Sequence, residues 1–228
     1  MKKTFYSELA WIAGALFLAL GTAMMERADF GMSTVVAPAY LLYLKLSQSL
    51  PFFSFGMAEY TLQAILLVIL GLILRKFRRS YLFSFITALI YGLVLDLMMK
   101  PLALVPAESM AVRLFLYIAG MIICAIGVAF YFKTYISPAA YELVVKEIAR
   151  EGSHDIGKVK IIYDLTSCLI AVILSFLFFG FGHFEGVKAG TFIVAVLNGP
   201  LISKCSDILD RLFEFKDRFR LRKYFEEM

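Results

Sequence analysis

The sequence has few of the charged residues that a soluble protein of its size needs at its surface. Only 18% of its 228 residues are charged and 61% are hydrophobic, whereas soluble domains average about 25% charged residues. A soluble chain of this length could not bury so much apolar surface. The composition therefore excludes an ordinary cytosolic enzyme, a nucleic-acid module and a disordered protein. The net charge of +5 does not restore a nucleic-acid role, because the basic residues lie at the ends of apolar segments.

Residues and motifs that carry common enzyme chemistry are also scarce. The three cysteines, Cys124, Cys168 and Cys205, lie in or at the end of apolar stretches, where they act as small hydrophobic residues and not as a disulfide or zinc framework. The two histidines, His154 and His183, are isolated. No H-E-x-x-H, C-x-x-C, Walker or G-x-S-x-G motif is present. We therefore expect no enzymatic activity, no bound metal and no cofactor.

Long apolar segments are what the sequence has in abundance. A bilayer core about 30 Å thick needs roughly 20 apolar residues in a helix. Six stretches meet this length, which predicts an all-α membrane protein with six transmembrane helices in contact with the lipid bilayer. The predicted spans are residues 8–26, 57–75, 80–100, 111–133, 158–180 and 187–206.

The distribution of lysine and arginine predicts the orientation of these spans. With the N-terminus in the cytoplasm, 18 lysines and arginines fall on the cytoplasmic side and five on the other. Cytoplasmic loops carry the excess of basic residues in multi-pass proteins. We therefore predict that both termini face the cytoplasm.

Three further segments are too short or too polar to span. Residues 33–47 follow the first span and residues 138–150 follow the fourth, and the latter has one apolar and one charged face. Such helices either lie in the membrane interface or enter the bundle as re-entrant segments, and the sequence leaves both arrangements open. Residues 207–225 mix apolar and charged residues with a helical period, which predicts a surface helix on the cytoplasmic side.

Two separated matches indicate an internal duplication. Residues 13–23 resemble residues 119–129 at an offset of 106, and residues 84–95 resemble residues 191–202 at an offset of 107. Each half contains three predicted spans, an odd number, so the halves would cross the membrane in opposite directions. Such inverted-topology repeats build the two gates of many transporters. The predicted organisation is a first repeat at 1–107, an inverted second repeat at 108–207 and a basic amphipathic tail at 208–228.

Short motifs resemble those of the YczE/YitT-type bacterial membrane proteins. Residues 21–33 (GTAMMERADFGMS) resemble the signature of their first repeat, and Gly190-Thr191 followed by residues 198–200 (Asn-Gly-Pro) resembles a segment of their closing helix. Asp164 stands where that family often has an acidic residue. The resemblance implies a six-helix transporter in a bacterial plasma (inner) membrane, but it implies no substrate.

The sequence departs from that family at two turns. Ser33-Thr34 replaces the usual small residue followed by Pro-Trp, and residues 135–138 replace a fuller Gly-Pro-Arg-Asp-like turn.

Polar residues inside the spans are the candidates for solute binding. Insertion of an ionisable side chain at the centre of a bilayer costs about 2.5–3.5 kcal/mol. Such a residue is therefore expected to have a function or a compensating partner. Asp164 is either a cation or proton site or the partner of Lys160, which lies one helical turn before it. Asn198 and Gln63 either line a cavity or form interhelical hydrogen bonds. Gly199 and Pro200 would shape the backbone of that cavity.

Charged residues at the ends of the first and fourth spans are candidate gates. Arg27 and Asp29 follow the first span, and Lys133 occupies the position equivalent to Arg27 in the second repeat. We predict that Arg27 and Asp29 form an outer gate and that Lys133 belongs to an inner gate. Local charge pairing is the simpler alternative for the cluster around Asp29.

The leading functional hypothesis is a small-solute transporter with a polar cavity between the repeats. Its unknown solute or ion would be driven by an ion gradient or by a partner ATPase, since no ATP-binding motif is present. One alternative is the substrate-binding subunit of an energy-coupling-factor importer, docking through Ala15, Ala19 and Ala23. Another is a membrane regulator or accessory protein acting through its basic tail. A homo-oligomer is compatible with each hypothesis, whereas no nucleic-acid partner is expected.

Overall fold

In the computed structural model, the protein is a bundle of helices closed at one end by two short strands. The structure describes residues 2–75, 79–154, 156–181, 185–219 and 222. In chain order the elements are β1 (Lys3–Tyr6), α1 (Ser7–Ala28), α2 (Ala37–Leu46), α3 (Phe55–Leu74), α4 (Arg79–Ala103), α5 (Met110–Tyr131), α6 (Ala140–Glu151), α7 (Ile156–Phe179), α8 (Ala189–Leu212) and β2 (Phe213–Lys216). His183, one of the isolated histidines, lies outside the described residues.

Six of these helices confirm the predicted spans. Helices α1, α3, α4, α5, α7 and α8 have 20 to 25 residues each and are apolar enough to cross a membrane. At a rise of 1.5 Å per residue each covers the hydrocarbon core. Their outer faces carry large apolar side chains such as Leu72, Leu177 and Val196, each more than 70% exposed. The chain is therefore a multi-pass membrane protein whose outer surface faces lipid.

Helices α1 and α5 cross at the centre of the bundle through small residues. Gly14 lies against Gly127, and Gly21 lies against Gly120. Because an early residue of α1 meets a late residue of α5, the two helices are antiparallel. A Cβ atom on Gly21 would lie 2.6 Å from the carbonyl oxygen of Gly120. Only residues without a side chain allow the two backbones to approach this closely.

The two short helices pack across the bundle. Helix α2 contacts α3 and α7, and helix α6 contacts the same two helices. The backbone N–H of Ala140, the first residue of α6, donates to the side-chain oxygen of Gln63 at 3.0 Å. Gln63 is the ninth residue of the 20-residue helix α3, so α6 begins beside the middle of a spanning helix. For residues 138–150 the contacts favour the re-entrant arrangement.

Helix α2 has its first residues buried in the same manner. Ala37, Ala39 and Leu41 are fully buried in one cluster with Ala19 of α1 and Ala171 of α7. Ala171 lies eight residues before the end of α7, well inside that helix. The small residues at the start of α2 allow it to pack between the spanning helices.

The predicted surface helix at 207–225 is wrong at residues 213–216, and its residues 220, 221 and 223–225 lie outside the described residues. Helix α8 continues only to Leu212, and residues Phe213–Lys216 form β2, which pairs in parallel with β1. The sequence Phe-Glu-Phe-Lys alternates apolar and charged residues, a strand period that places Phe213 and Phe215 against Phe5. The pairing brings both ends of the described chain to one end of the bundle. We call this the terminal end and the opposite one the distal end.

Candidate functional site

A cavity lies inside the bundle between residues of the first and second halves of the chain. Its walls come from α1, the segment before α2, and helices α3 to α8. Most of the lining side chains are apolar, for example Leu18, Met25, Val194 and Ile202. The polar or ionisable residues in the wall are Thr22, Ser33, Gln63, Tyr91, Cys124, Tyr141, Glu142, Lys160 and Asn198. The cavity therefore combines an apolar wall with a small set of hydrogen-bonding groups, as solute sites commonly do.

A buried glutamate lies behind this wall. Glu59 and Gln63 are both 0% exposed. The Gln63 side-chain N–H donates to Oε2 of Glu59 at 3.2 Å, and the Tyr141 hydroxyl donates to the same oxygen at 2.9 Å. The other carboxyl oxygen, Oε1 of Glu59, is buried without a hydrogen-bond partner among the described residues. Gln63 and Tyr141 thus connect the cavity with a carboxyl group that has no contact with solvent.

Sequence reasoning missed Glu59, although a signal was present. Glu59 lies within the predicted span 57–75, and Gln63 follows it at a spacing of four residues. Residues four apart lie on the same face of a helix. An acidic residue and an amide on one face of an otherwise apolar span mark that face as directed towards other helices.

Two further carboxylates lie near the cavity. Lys160 and Asp164 form the predicted pair, with 2.7 Å between Nζ and Oδ1. Lys160 lines the cavity, whereas Asp164 is not among the lining residues. Glu142 also lines the cavity, and its Oε2 is buried without a hydrogen-bond partner among the described residues. Asp164 therefore binds the lysine of the cavity wall, and Glu142 presents an acceptor oxygen that no described residue uses.

The five predicted solute-binding residues are only partly brought together. Gln63 and Asn198 both line the cavity. Gly199 and Pro200 are exposed and not among its lining residues, and a Cβ atom added to Gly199 would meet nothing within 4 Å. The face of α8 that carries Asn198 is thus turned inwards, whereas the next two residues face outwards.

The predicted outer-gate residues form a charged cluster at the distal end. Asp29 pairs with Lys188 at 2.5 Å and with Arg113 at 3.3 Å. The Arg113 guanidinium also donates to the carbonyl oxygen of Ala28 at 2.8 Å. Arg27 instead donates twice to the carbonyl oxygen of Val105, at 2.6 and 2.9 Å. These contacts join the end of α1 to the start of α5, to Val105 in the loop before α5 and to Lys188 just before α8.

A second cluster of polar and charged residues joins the N-terminal and C-terminal segments to each other and to the segment after α5 at the terminal end. Lys133, the predicted inner-gate residue, pairs with Asp210 of α8 at 2.6 Å. The Tyr135 hydroxyl donates to Glu8 at 2.8 Å, and the Ser7 hydroxyl donates to Asp217 at 2.6 Å.

Asp217 carries a perturbed carboxyl group in this cluster. A hydrogen bond from the Arg222 guanidinium lowers the pKa of Asp217, and the bond from the Ser7 hydroxyl lowers it further.

Comparison with family models identifies one match. The model of a family of unknown function, DUF6198, matches residues 5–207. The chain belongs to the DUF6198 family. The DUF6198 match contains the cavity residues and the distal cluster, and it ends before Asp210 and β2. It gives no specific support to the resemblance to the YczE/YitT-type proteins.

Comparison with curated proteins and with solved structures gives no match. Within the residues that the structure describes, no group of three or more His, Cys, Asp or Glu is arranged to hold a metal ion.

Proposed function

We propose that this protein is a small-solute transporter in which two inverted three-helix repeats enclose the cavity. The observation that carries the proposal is the reciprocity of the contacts between α1 and α5. Gly14 meets Gly127 and Gly21 meets Gly120. Adding the repeat offset of 106 to Gly14 and Gly21 gives Gly120 and Gly127. The offset therefore converts the contact between Gly14 and Gly127 into the contact between Gly120 and Gly21. This reciprocity is expected for two copies related by a two-fold axis through the crossing point of the helices.

Neighbouring contacts follow the same relation. A Cβ atom on Gly14 would approach the Tyr131 ring, and one on Gly120 would approach the Met25 side chain. Tyr131 is the position equivalent to Met25 at the offset of 106. Packing between α3 and α6 likewise has its counterpart in packing between α7 and α2. The reciprocity thus extends from the glycines to the short helices.

The charged clusters at the two ends are consistent with paired gates. Arg27 at the distal end binds Val105, just after the last helix of the first repeat. Its equivalent, Lys133, binds Asp210 near the end of the last helix of the second repeat. Alternate opening of the two clusters would expose the cavity first to one side of the membrane and then to the other. The solute would then contact Asn198, Gln63 and Tyr141 at mid-depth.

The distribution of basic residues supports a cytoplasmic terminal end. With that orientation, the 18 lysines and arginines of the termini and adjoining loops lie on the cytoplasmic side of the membrane. We therefore place Lys133 at the inner gate and Asp29 at the outer gate. The resemblance of residues 21–33 to the YczE/YitT-type proteins supports a bacterial plasma membrane as the location.

Alternating access is tested by thiol labelling at the cavity wall. The variant Asn198→Cys is made in a background in which all three native cysteines are alanine. It is then labelled with a membrane-impermeant thiol reagent in sealed vesicles of either orientation. Asp29→Asn should increase labelling from the distal side, because it removes both ion pairs of that cluster. Lys133→Gln should increase labelling from the terminal side.

A matched position controls for general loosening of the bundle. Val196→Cys, on the exposed lipid-facing side of α8, should stay unlabelled in both gate variants. The transporter proposal is wrong if Asp29→Asn and Lys133→Gln raise labelling of Asn198→Cys from the same side, or if neither changes it.

The importer-subunit alternative requires an accessible face on α1. Ala15, Ala19 and Ala23 are 2%, 0% and 0% exposed. Their face is thus occupied by other helices of the same chain, which disfavours docking of a coupling subunit there.

A further inference from the structure

The buried carboxyl group of Glu59 lacks the partners that an ionised carboxylate requires. Among the described residues it has two neutral hydrogen-bond donors on one oxygen and none on the other. Within the same part of the chain, no lysine, arginine or histidine forms an ion pair with it. An unpaired charge inside a membrane bundle is strongly disfavoured, so the neutral, protonated carboxyl group is the form that this environment favours.

Among the described residues, the groups that face Glu59 from the surrounding helices offer no compensating positive charge. Tyr141 and Glu142 approach from α6, Tyr91 from α4 and Tyr163 from α7. All four are neutral or acidic. The lysine of the cavity wall, Lys160, is bound to Asp164.

A short route connects this carboxyl group with the cavity. Tyr141 lines the cavity and its hydroxyl contacts Oε2 of Glu59 at 2.9 Å. A hydroxyl group both donates and accepts hydrogen bonds, and it can therefore pass a proton between a carboxyl group and an acceptor on its other side. Gln63 holds the carboxyl group in place and cannot itself titrate.

We propose that Glu59 is a proton-binding residue whose proton exchanges with the cavity through Tyr141. On release, the Tyr141 hydroxyl turns its proton away from Oε2 of Glu59 towards the cavity, and the O–H bond of the carboxyl group at Oε2 breaks as a bond forms to the Tyr141 oxygen. Tyr141 at the same time gives its own hydroxyl proton to an acceptor in the cavity. The net result is a carboxylate at Glu59 and one proton in the cavity. This proposal rests on the proposed function, because release of the proton into the cavity would couple proton movement to solute movement.

Infrared spectroscopy of the full-length protein in liposomes tests the proposal without knowledge of the solute. The spectrum should contain the carbonyl band of protonated carboxyl groups at neutral pH, and Glu59→Gln should remove the part of that band that comes from Glu59. Glu108→Gln, in the loop between α4 and α5, is the matched control that should retain the band. The band should shift after transfer to D₂O, because the proton exchanges with the cavity.

A tyrosine variant separates the proton site from the relay. Tyr141→Phe should retain the protonated band but slow its exchange in D₂O by about a hundredfold, at the low end of what a positioned proton-transfer group contributes. Tyr131→Phe removes a buried hydroxyl that has no hydrogen-bond partner among the described residues, and it should leave the exchange rate unchanged. Unchanged exchange in Tyr141→Phe would overturn the relay.

Absence of a Glu59-dependent band at neutral pH would overturn the proton site. Glu59→Asp guards against misfolding in Glu59→Gln, since it keeps the acid and should keep a shifted band. The outcome is independent of transport. If the Glu59-dependent band is present but labelling of Asn198→Cys shows no alternating access, only the transporter proposal is overturned. If the labelling shows alternating access but the band is absent, only the proton site is overturned.

Discussion

Gly21 and Gly120 lie against each other's backbone where α1 and α5 cross. A Cβ atom on Gly21 would lie 2.6 Å from the Gly120 carbonyl oxygen, and one on Gly120 would lie 2.8 Å from the Gly21 carbonyl oxygen. The contact depends on the missing side chain of both residues. It lies at the centre of the bundle, so its disruption should affect the whole fold.

Replacement of Gly21 by alanine should therefore destabilise the protein. Overpacking of a tight contact typically costs about 1–3 kcal/mol, and here the obstructing atoms belong to the backbone. The free energy of unfolding can be measured by denaturant titration of the protein in mixed micelles. Gly199→Ala is the control, because a Cβ atom there has open space. It should leave stability unchanged or raise it by up to about 1 kcal/mol through helix propensity. Equal losses in both variants would contradict the close packing.

The Tyr141 hydroxyl should contribute to stability and the Tyr131 hydroxyl should not. Tyr141→Phe removes a donor to Glu59 and leaves a buried acceptor less satisfied, a loss of about 1–3 kcal/mol. Tyr131→Phe removes a buried hydroxyl that has no hydrogen-bond partner among the described residues, so its effect should be neutral or stabilising. Thermal unfolding of the two variants side by side provides the comparison, and the reverse order would contradict the hydrogen-bond assignment.

Asp29→Asn should alter access to the cavity much more than it alters stability. The Asp29 side chain is 55% exposed and its partners Arg113 and Lys188 are 30% exposed. Ion pairs at such positions contribute about 0–1 kcal/mol. The melting temperature should therefore change little, while labelling of Asn198→Cys from the distal side rises. A large fall in melting temperature would indicate a structural role and not a gate.

The contact between Asp217 and the terminal end should weaken in acid. The hydrogen bond from Arg222 lowers the pKa of Asp217 below its ordinary value. Its stabilising contribution is therefore present above the unfolded-state pKa of about 3.9 and is lost as the pH falls further, through the folded-state pKa. The protection factors of the β1 and β2 amides against hydrogen exchange should fall over that range. Asp217→Asn should remove this part of the pH dependence, and an unchanged pH profile in that variant would contradict the assignment.

Several features of the fold follow from local sequence patterns. The six spans are long apolar runs, and such a run becomes a helix in a bilayer because its backbone groups must be satisfied internally. The pairing of Lys160 with Asp164 follows from their spacing of four residues on one helix. The spacing of small residues along α1 and α5 likewise indicates which faces of these helices can approach a neighbour closely.

Other features depend on how distant segments meet. Asn198 faces the cavity while Gly199 and Pro200 do not, because the rotation of α8 is set by its packing against α5. Phe213–Lys216 forms a strand because β1, about 210 residues earlier, supplies the hydrogen bonds that a four-residue segment cannot provide for itself. The helical period of residues 207–225, taken without that partner, predicts a helix for the same residues.

The sequence by itself determined that the chain spans a membrane six times, since apolar length and composition are local properties. The buried Glu59, its contact with Tyr141 and the cavity in front of them were decided only by the tertiary structure. Glu59 and Tyr141 are 82 residues apart. They meet because α6 enters the bundle beside the middle of α3, a packing arrangement that no local pattern in either segment specifies.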